Sequence, residues 1–159
     1  MNDSISHIQA IQQILAPAVM ISACGLLTLG ISNKFSLILN RIRALNEEKR
    51  RLLAGGKRRA RKTEDLRRVE NISRQLLRLL GRARLVRNSL FCYFIAIGLF
   101  VATSLLIGLD FFIQIAVLQH YVIFFFLFGM IAVFLGVIYG VIDTLNGFEV
   151  VKIEVEADA

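Results

Sequence analysis

The chain has 159 residues, of which 56% are hydrophobic, and it carries 19 Lys and Arg residues against 12 Asp and Glu residues. Ordinary soluble domains are roughly 45–50% apolar, so this composition, with a mean hydropathy of +0.64, excludes that class. The sequence therefore predicts a protein embedded in a membrane.

Three uncharged runs, long enough to cross a lipid bilayer, follow one another along the chain. They cover residues 8–33, 88–109 and 111–142, and only His120 interrupts the last. A hydrocarbon core about 30 Å thick needs roughly 20 helical residues, so each run predicts one transmembrane helix. We assign these helices to residues 8–33, 88–109 and 121–142, with an outer turn at 110–120 and a tail at 143–159. The ten residues 111–120 are too few to form a fourth span.

The basic residues orient these helices. Eighteen of the 19 Lys and Arg residues lie within residues 34–87, and the five acids there leave that segment with a net charge of +13. The positive-inside rule places this segment and the tail on the cytoplasmic side, with the N-terminus and the 110–120 turn outside. The predicted location is a cytoplasmic (inner) membrane. The first residues, MNDSISHIQ, lack a basic signal-peptide start, so we expect the first span to be retained.

The first helix is predicted to continue beyond the membrane, because apolar residues recur at heptad spacing as far as Gly55 and Gly56, which favour helix termination. A second such pattern leads into the second span. The two apolar seams consist of Phe35, Ile38, Ile42, Leu45 and Leu52, and of Val69, Ile72, Leu76, Leu79, Ala83, Val86 and Leu90. Joined by a tip at 55–63, they predict an all-α integral membrane protein with a long cytoplasmic antiparallel coiled-coil hairpin. For the tail, a short strand, a helical end and disorder stay open.

The first span also carries a stripe of small and hydroxyl residues, here called the α1 stripe: Ala18, Ser22, Gly25, Thr28, Ser32 and Ser36. Small residues let helix backbones approach closely in lipid, so we expect this face to pack on another helix. Alternatively, several copies arrange the stripe around an axis and its hydroxyls line a water-filled path. Gly129, Gly136 and Gly140 form a similar packing face in the third span.

The basic residues of the hairpin lie near the membrane and at the tip: Arg41, Arg43, Arg82, Arg84 and Arg87, and Lys57, Arg58, Arg59, Arg61 and Lys62. The first group is placed to meet anionic lipid headgroups. The tip group fits either an acidic protein partner or, as we favour, a solvated loop that enforces topology. No base-reading module accompanies it, so specific nucleic-acid binding is not expected. In a ring of copies these residues would enclose a positive vestibule, and Asp143 is placed to form an opposing ring.

The sequence contains no HExxH, CxxC, GxSxG or P-loop motif, and we predict neither an enzyme nor a bound cofactor or metal. Cys24 and Cys92 lie inside predicted spans and are interpreted as packing residues. Asp3, His7, Asp110 and His120 are all predicted outside, where a titrating cluster is the less favoured alternative.

The block ISACGLLTLGISNKFSLILNRIRAL, with PAVM before it and RNSLF after it, resembles a family of small bacterial and archaeal membrane proteins that is defined only as a domain of unknown function. The resemblance covers most of the chain. It is concentrated in residues 21–26 and in Pro17, Asn40, Arg41, Ile42, Arg43 and Leu45. It implies a membrane protein with several spans and brings no activity, cofactor or catalytic residue.

These patterns predict a homo-oligomeric inner-membrane protein, of pore or channel type, with a basic cytoplasmic vestibule. Three spans are too few to enclose a path within one chain, and the apolar seams and small-residue faces exceed what a monomer buries. The alternative is a non-transporting scaffold whose basic coiled-coil arm recruits an acidic partner. The two hypotheses differ in whether the α1 stripe faces water or another helix.

Overall fold

The computed structural model describes the backbone of residues 2–54, 62–113 and 116–157, and all of these residues are helical. The three helices are α1 (Asn2–Ala54), α2 (Lys62–Ile113) and α3 (Ala116–Ala157). Side chains are described for residues 15–54, 66–110 and 118–147. The tip residues Lys57, Arg58, Arg59, Arg61 and Lys62, and the outer residues Asp3 and His7, lie outside the described side chains.

Each helix contains a segment long and apolar enough to cross a membrane. α1 passes Asn33 without a break, and at about 1.5 Å per residue its last 20 or so residues extend roughly 30 Å beyond the apolar run. We call residues 34–54 of α1 and 66–87 of α2 the arms. α1 ends at Ala54, immediately before the glycine pair that predicts its end.

The ends of the helices differ in part from the predicted segments. α2 begins at Lys62, and most of the turn predicted at 110–120 is helical, because α2 extends to Ile113 and α3 begins at Ala116. That stretch contains no Gly or Pro to end a helix. α3 continues to Ala157, so of the three alternatives for the tail the strand is wrong and the helical end agrees with the structure.

α2 lies between the other two helices. It packs along α1 on one side and along α3 on another, whereas α1 and α3 contact each other only sparsely. In the arms, α1 and α2 are antiparallel and share one apolar cluster. Its buried members are Ile38, Ile42 and Leu45 of α1 and Ile72, Leu76, Ala83 and Val86 of α2, with Ile31, Phe35, Leu52 and Leu79 partly buried against them. Val69 and Leu90 are half-buried.

Polar contacts at the edges of this cluster join the same two arms. Lys49, which occupies the skipped apolar position of the α1 seam, donates from Nζ to Ser73 Oγ at 3.0 Å. One turn away, Arg68 Nη2 lies 3.0 Å from Glu48 Oε1. Both pairs link α1 to α2, so they fix which turn of one arm faces which turn of the other.

In the apolar part of the chain, α2 packs on α3 by placing aromatic rings against glycines. A Cβ atom at Gly129 would lie 2.7 Å from the ring of Phe100, and one at Gly136 would lie 2.8 Å from the ring of Tyr93. Buried Ser89 donates from Oγ to the carbonyl of Gly136 at 2.7 Å. Only glycine leaves room for these rings, so the packing face predicted in the third span does contact a neighbouring helix.

The arms provide a test of this packing in two adjacent residues, because Leu76 is 8% exposed and Leu77 is 71% exposed. Leu76→Asp places a charge within the shared apolar cluster, and we expect it to destabilise the arms by about 3 kcal/mol or more. Leu77→Asp is the matched control and should leave the arms folded. Limited proteolysis of the full chain in detergent would measure the difference. Equal resistance of the two variants would contradict the packing described here.

Candidate functional site

Three charged side chains, one from each helix, meet where the arms join the apolar segments. Asp143 of α3 is fully buried; Arg82 of α2 donates from Nε to its Oδ1 at 3.2 Å, and Lys34 Nζ of α1 lies 2.7 Å from its Oδ2. Oδ2 thus has an ion-pair partner but no hydrogen-bond partner among the described residues. We call this group the Asp143 cluster.

Further contacts with α3 surround the two cations of the cluster. Lys34 Nζ also donates to Thr144 Oγ1 at 3.1 Å, and Thr144 in turn donates to the carbonyl of Gly140 at 2.9 Å. Gly147 lies beside Arg82, and a Cβ atom there would be 2.7 Å from Nη2. A glycine one turn after Asp143 thus makes room for the guanidinium to lie across α3.

The charges explain why this arrangement is stable. A buried carboxylate is costly unless it is paired, and here two cations face one anion. Lys34 and Arg82 stay partly exposed, so the extra positive charge is hydrated. The cluster therefore joins three helices through one buried group.

Each apolar run ends near a member of this cluster. Lys34 directly follows the run at 8–33, Asp143 directly follows the run at 111–142, and Arg82 lies six residues before the run at 88–109. Charges of opposite sign at corresponding ends of the apolar runs are a signal from which the sequence alone could predict this ion pairing. The interpretation of Asp143 as part of a ring facing a central path is wrong for this fold, because its carboxylate is buried inside one chain against that chain's own cations.

The α1 stripe lies outside the packing between the three helices. Ala18, Ser22, Gly25 and Ser36 are exposed, and Thr28 and Ser32 are half-buried. A Cβ atom at Gly25 would meet nothing within 4 Å. Ser22 donates to the carbonyl of Ala18 at 3.2 Å and Thr28 to that of Cys24 at 2.8 Å, so both hydroxyl hydrogens are used within α1.

In the arms, every described acid already has a cation beside it. Glu47 pairs with Arg51 and Glu70 with Arg74 within their own helices, and Glu48 pairs with Arg68 between helices. Seven exposed cations remain without an acidic partner among the described side chains. All are arginines: Arg41, Arg43, Arg50, Arg67, Arg78, Arg84 and Arg87.

Within the described residues no group of three His, Cys, Asp or Glu side chains is placed to hold a metal ion. Cys24 and Cys92 are free thiols, the first buried and the second half-buried. Asp110 is half-buried and His120 is exposed.

The architecture defines a helical membrane-type protein with three helices able to span a bilayer in the described residues. The chain belongs to the family described as "Protein of unknown function (DUF2721)", whose match covers residues 14–153. This confirms the resemblance to a family of unknown function. No curated protein and no solved structure matches the chain.

The Asp143 cluster predicts a large effect from a small substitution. Asp143→Asn keeps the shape of the side chain but leaves Lys34 and Arg82 without a counter-charge. We expect a loss of about 2–4 kcal/mol in the free energy of unfolding, somewhat below the usual cost of breaking a buried pair because both cations are partly exposed. Thermal unfolding in detergent, followed by circular dichroism, measures the change.

Glu47→Gln is the matched control, because it removes an exposed pair within one helix and should cost no more than about 0.5 kcal/mol. Adding Lys34→Met and Arg82→Met to Asp143→Asn removes the uncompensated cations and should restore part of the loss. If Asp143→Asn and Glu47→Gln unfold alike, the Asp143 cluster does not hold the helices together.

Proposed function

We propose that this chain forms a homo-oligomeric, pore-type assembly in the cytoplasmic membrane, in which the α1 stripes of several copies surround a central, water-filled path. The arms lie on the cytoplasmic side and the N-terminus outside, since the basic residues follow the positive-inside rule. The observation that carries this proposal is the contrast between two small-residue faces of the same chain.

The glycines of α3 are covered within the chain, because Phe100 and Tyr93 lie against Gly129 and Gly136. Gly25 of the α1 stripe has open space where its Cβ would be. Helices associate in lipid mainly through close packing, for which small residues are suited, so a small-residue face without a helix against it is suited to a neighbouring copy. We infer that this face turns toward the α1 helices of neighbouring copies around the central path.

A water-filled path is compatible with the chemistry of the same face. The hydroxyl hydrogens of Ser22 and Thr28 are directed to carbonyls of α1, which leaves their oxygens free to accept hydrogen bonds from water. A ring of arms with this excess of arginines would form a positive vestibule and favour anions over cations. These two features support a pore rather than a dry bundle.

The subunit number is the first test. Native mass spectrometry of the detergent-solubilised protein should give a closed ring of four or more copies, and Gly25→Leu should dissociate it by filling the contact face. Gly98→Leu is the matched control, because Gly98 of α2 also has open space around its Cβ and lies outside the α1 stripe. A monomer or dimer for the unmodified chain would exclude a central path.

The second test asks whether the stripe meets water. Cys24 and Cys92 are first replaced by Ala, and Ser22→Cys, Thr28→Cys and, as a lipid-facing control, Val19→Cys are introduced singly. In the intact oligomer we expect a membrane-impermeant, charged methanethiosulfonate to modify the first two thiols and to leave the third unmodified, because thiols ionise and react in water rather than in lipid. Protection of both stripe positions would remove the pore from the proposal and leave a packed helix interface.

The second candidate function is a scaffold whose arms recruit an acidic partner, and it is favoured by the seven arginines that have no acidic partner among the described side chains. The positive-inside rule for membrane orientation requires only positive charge, which Lys supplies as well as Arg. Arginine differs because its planar guanidinium binds carboxylates and phosphates through two parallel hydrogen bonds. An intact oligomer with a protected stripe would support this function, with an acidic protein or anionic lipid headgroups as partners of the arms.

A further inference from the structure

We propose that the end of the helix bundle opposite the arms contains a binding site for a small amphipathic amine. A cavity of about 490 Å³ lies there among the three helices. Residues of α1, α2 and α3 line it: Ala16, Pro17, Thr103, Ile107, Asp110, Gln119, Val122, Ile123 and Phe126. It is separate from the α1 stripe residues, the Asp143 cluster and the arms, so this inference goes beyond the proposed function.

The cavity has an apolar inner part and a polar mouth. Pro17 and Thr103 are fully buried and line its inner part together with Phe126. Asp110 and Gln119 lie nearer the ends of their helices, and Asp110 follows Thr103 by seven positions, which corresponds to about 10 Å along α2. Because α1 and α3 contact each other only sparsely, a molecule can enter between them.

The polar groups of the cavity indicate the charge of its ligand. Thr103 donates to the carbonyl of Leu99 at 2.8 Å, so the hydroxyl hydrogen at the inner part is already used. Asp110 forms no ion pair with any described side chain, and it is the one charged residue among the described residues of the lining. A half-buried carboxylate beside apolar walls favours a cation that has an apolar body.

The size of the cavity suits a small organic molecule, since ligand sites commonly measure about 300–1,000 Å³. A lipid acyl chain would fill the apolar part but would gain nothing from Asp110, and a phosphate headgroup would be repelled by it. An amine with an aliphatic or aromatic body of modest length satisfies both parts. The alkyl or aryl body would lie against Ile107 and Phe126, and the ammonium group would lie at Asp110.

Dansylcadaverine is a suitable probe, because it joins a primary amine to a fluorescent apolar group whose emission rises in an apolar site. The full-length protein in phosphatidylcholine nanodiscs would be titrated with it and with its N-acetyl derivative, which lacks the charge. We expect saturable binding of the amine about tenfold tighter than that of the acetylated probe. Asp110→Asn should abolish this preference and leave binding of the acetylated probe unchanged.

The location is tested by filling the cavity. Ile107→Trp should reduce binding of both probes at least tenfold, whereas Leu105→Trp, at a position 64% exposed on the same helix, should not. Val122→Phe is a second filling variant in case Ile107→Trp alters the helical content. Equal binding by the filled and control variants, or an amine preference that survives Asp110→Asn, would overturn the proposal. So would the absence of saturable binding, as when a neighbouring copy occupies the cavity.

Discussion

The contact between Asp143 and the two cations Lys34 and Arg82 is the interaction on which the arrangement of the three helices depends. Apolar helices in lipid have little hydrophobic reason to prefer one alignment over another, because lipid tails are as apolar as leucine side chains. A buried carboxylate differs, because sliding α3 by one turn would leave the charge unpaired. Gly147 belongs to the same contact, since a side chain there would displace the guanidinium of Arg82. The acid on α3 thus sets the register of α3 against α2, and its pairing with Lys34 aligns α1 at the same level.

α2 follows two different packing rules along its length. In the arm it buries aliphatic side chains against α1, where water supplies the hydrophobic driving force. In the apolar segment it presents Tyr93 and Phe100 to glycines of α3, where close fit replaces that driving force. The change of rule occurs near Arg82 and Ser89, although α2 packs on α1 in the apolar segment as well, where Cys24 lies in one cluster with Ala96 and Phe100. The Asp143 cluster lies at the boundary between the two regimes.

The sequence predicts the helices and most of the residues that pack between them, because both depend on local patterns of apolar residues. The spacing of apolar residues predicts which side chains are buried between the arms. The uncharged runs predict the segments that are able to cross a bilayer. The sequence does not predict contacts that depend on which turn of one helix faces which turn of another. The pairing of Phe100 with Gly129 and the burial of Asp143 require that alignment, and periodicity carries no information about it. The turn predicted at 110–120 is too long. The orientation of the spans requires a change of direction there, but the local residues contain no helix breaker and most of them are helical.

The position of Lys34 separates the Asp143 cluster from the face that we propose is turned toward neighbouring copies. Lys34 lies two residues from Ser32 and two from Ser36, and because successive residues of a helix are about 100° apart, its side chain leaves α1 on the side opposite the α1 stripe. Its ammonium group is directed inward to Asp143 and Thr144. The buried acid therefore holds α1 against the other two helices through one face. The opposite face, which carries the α1 stripe, stays outside this contact and is open to close approach by another copy.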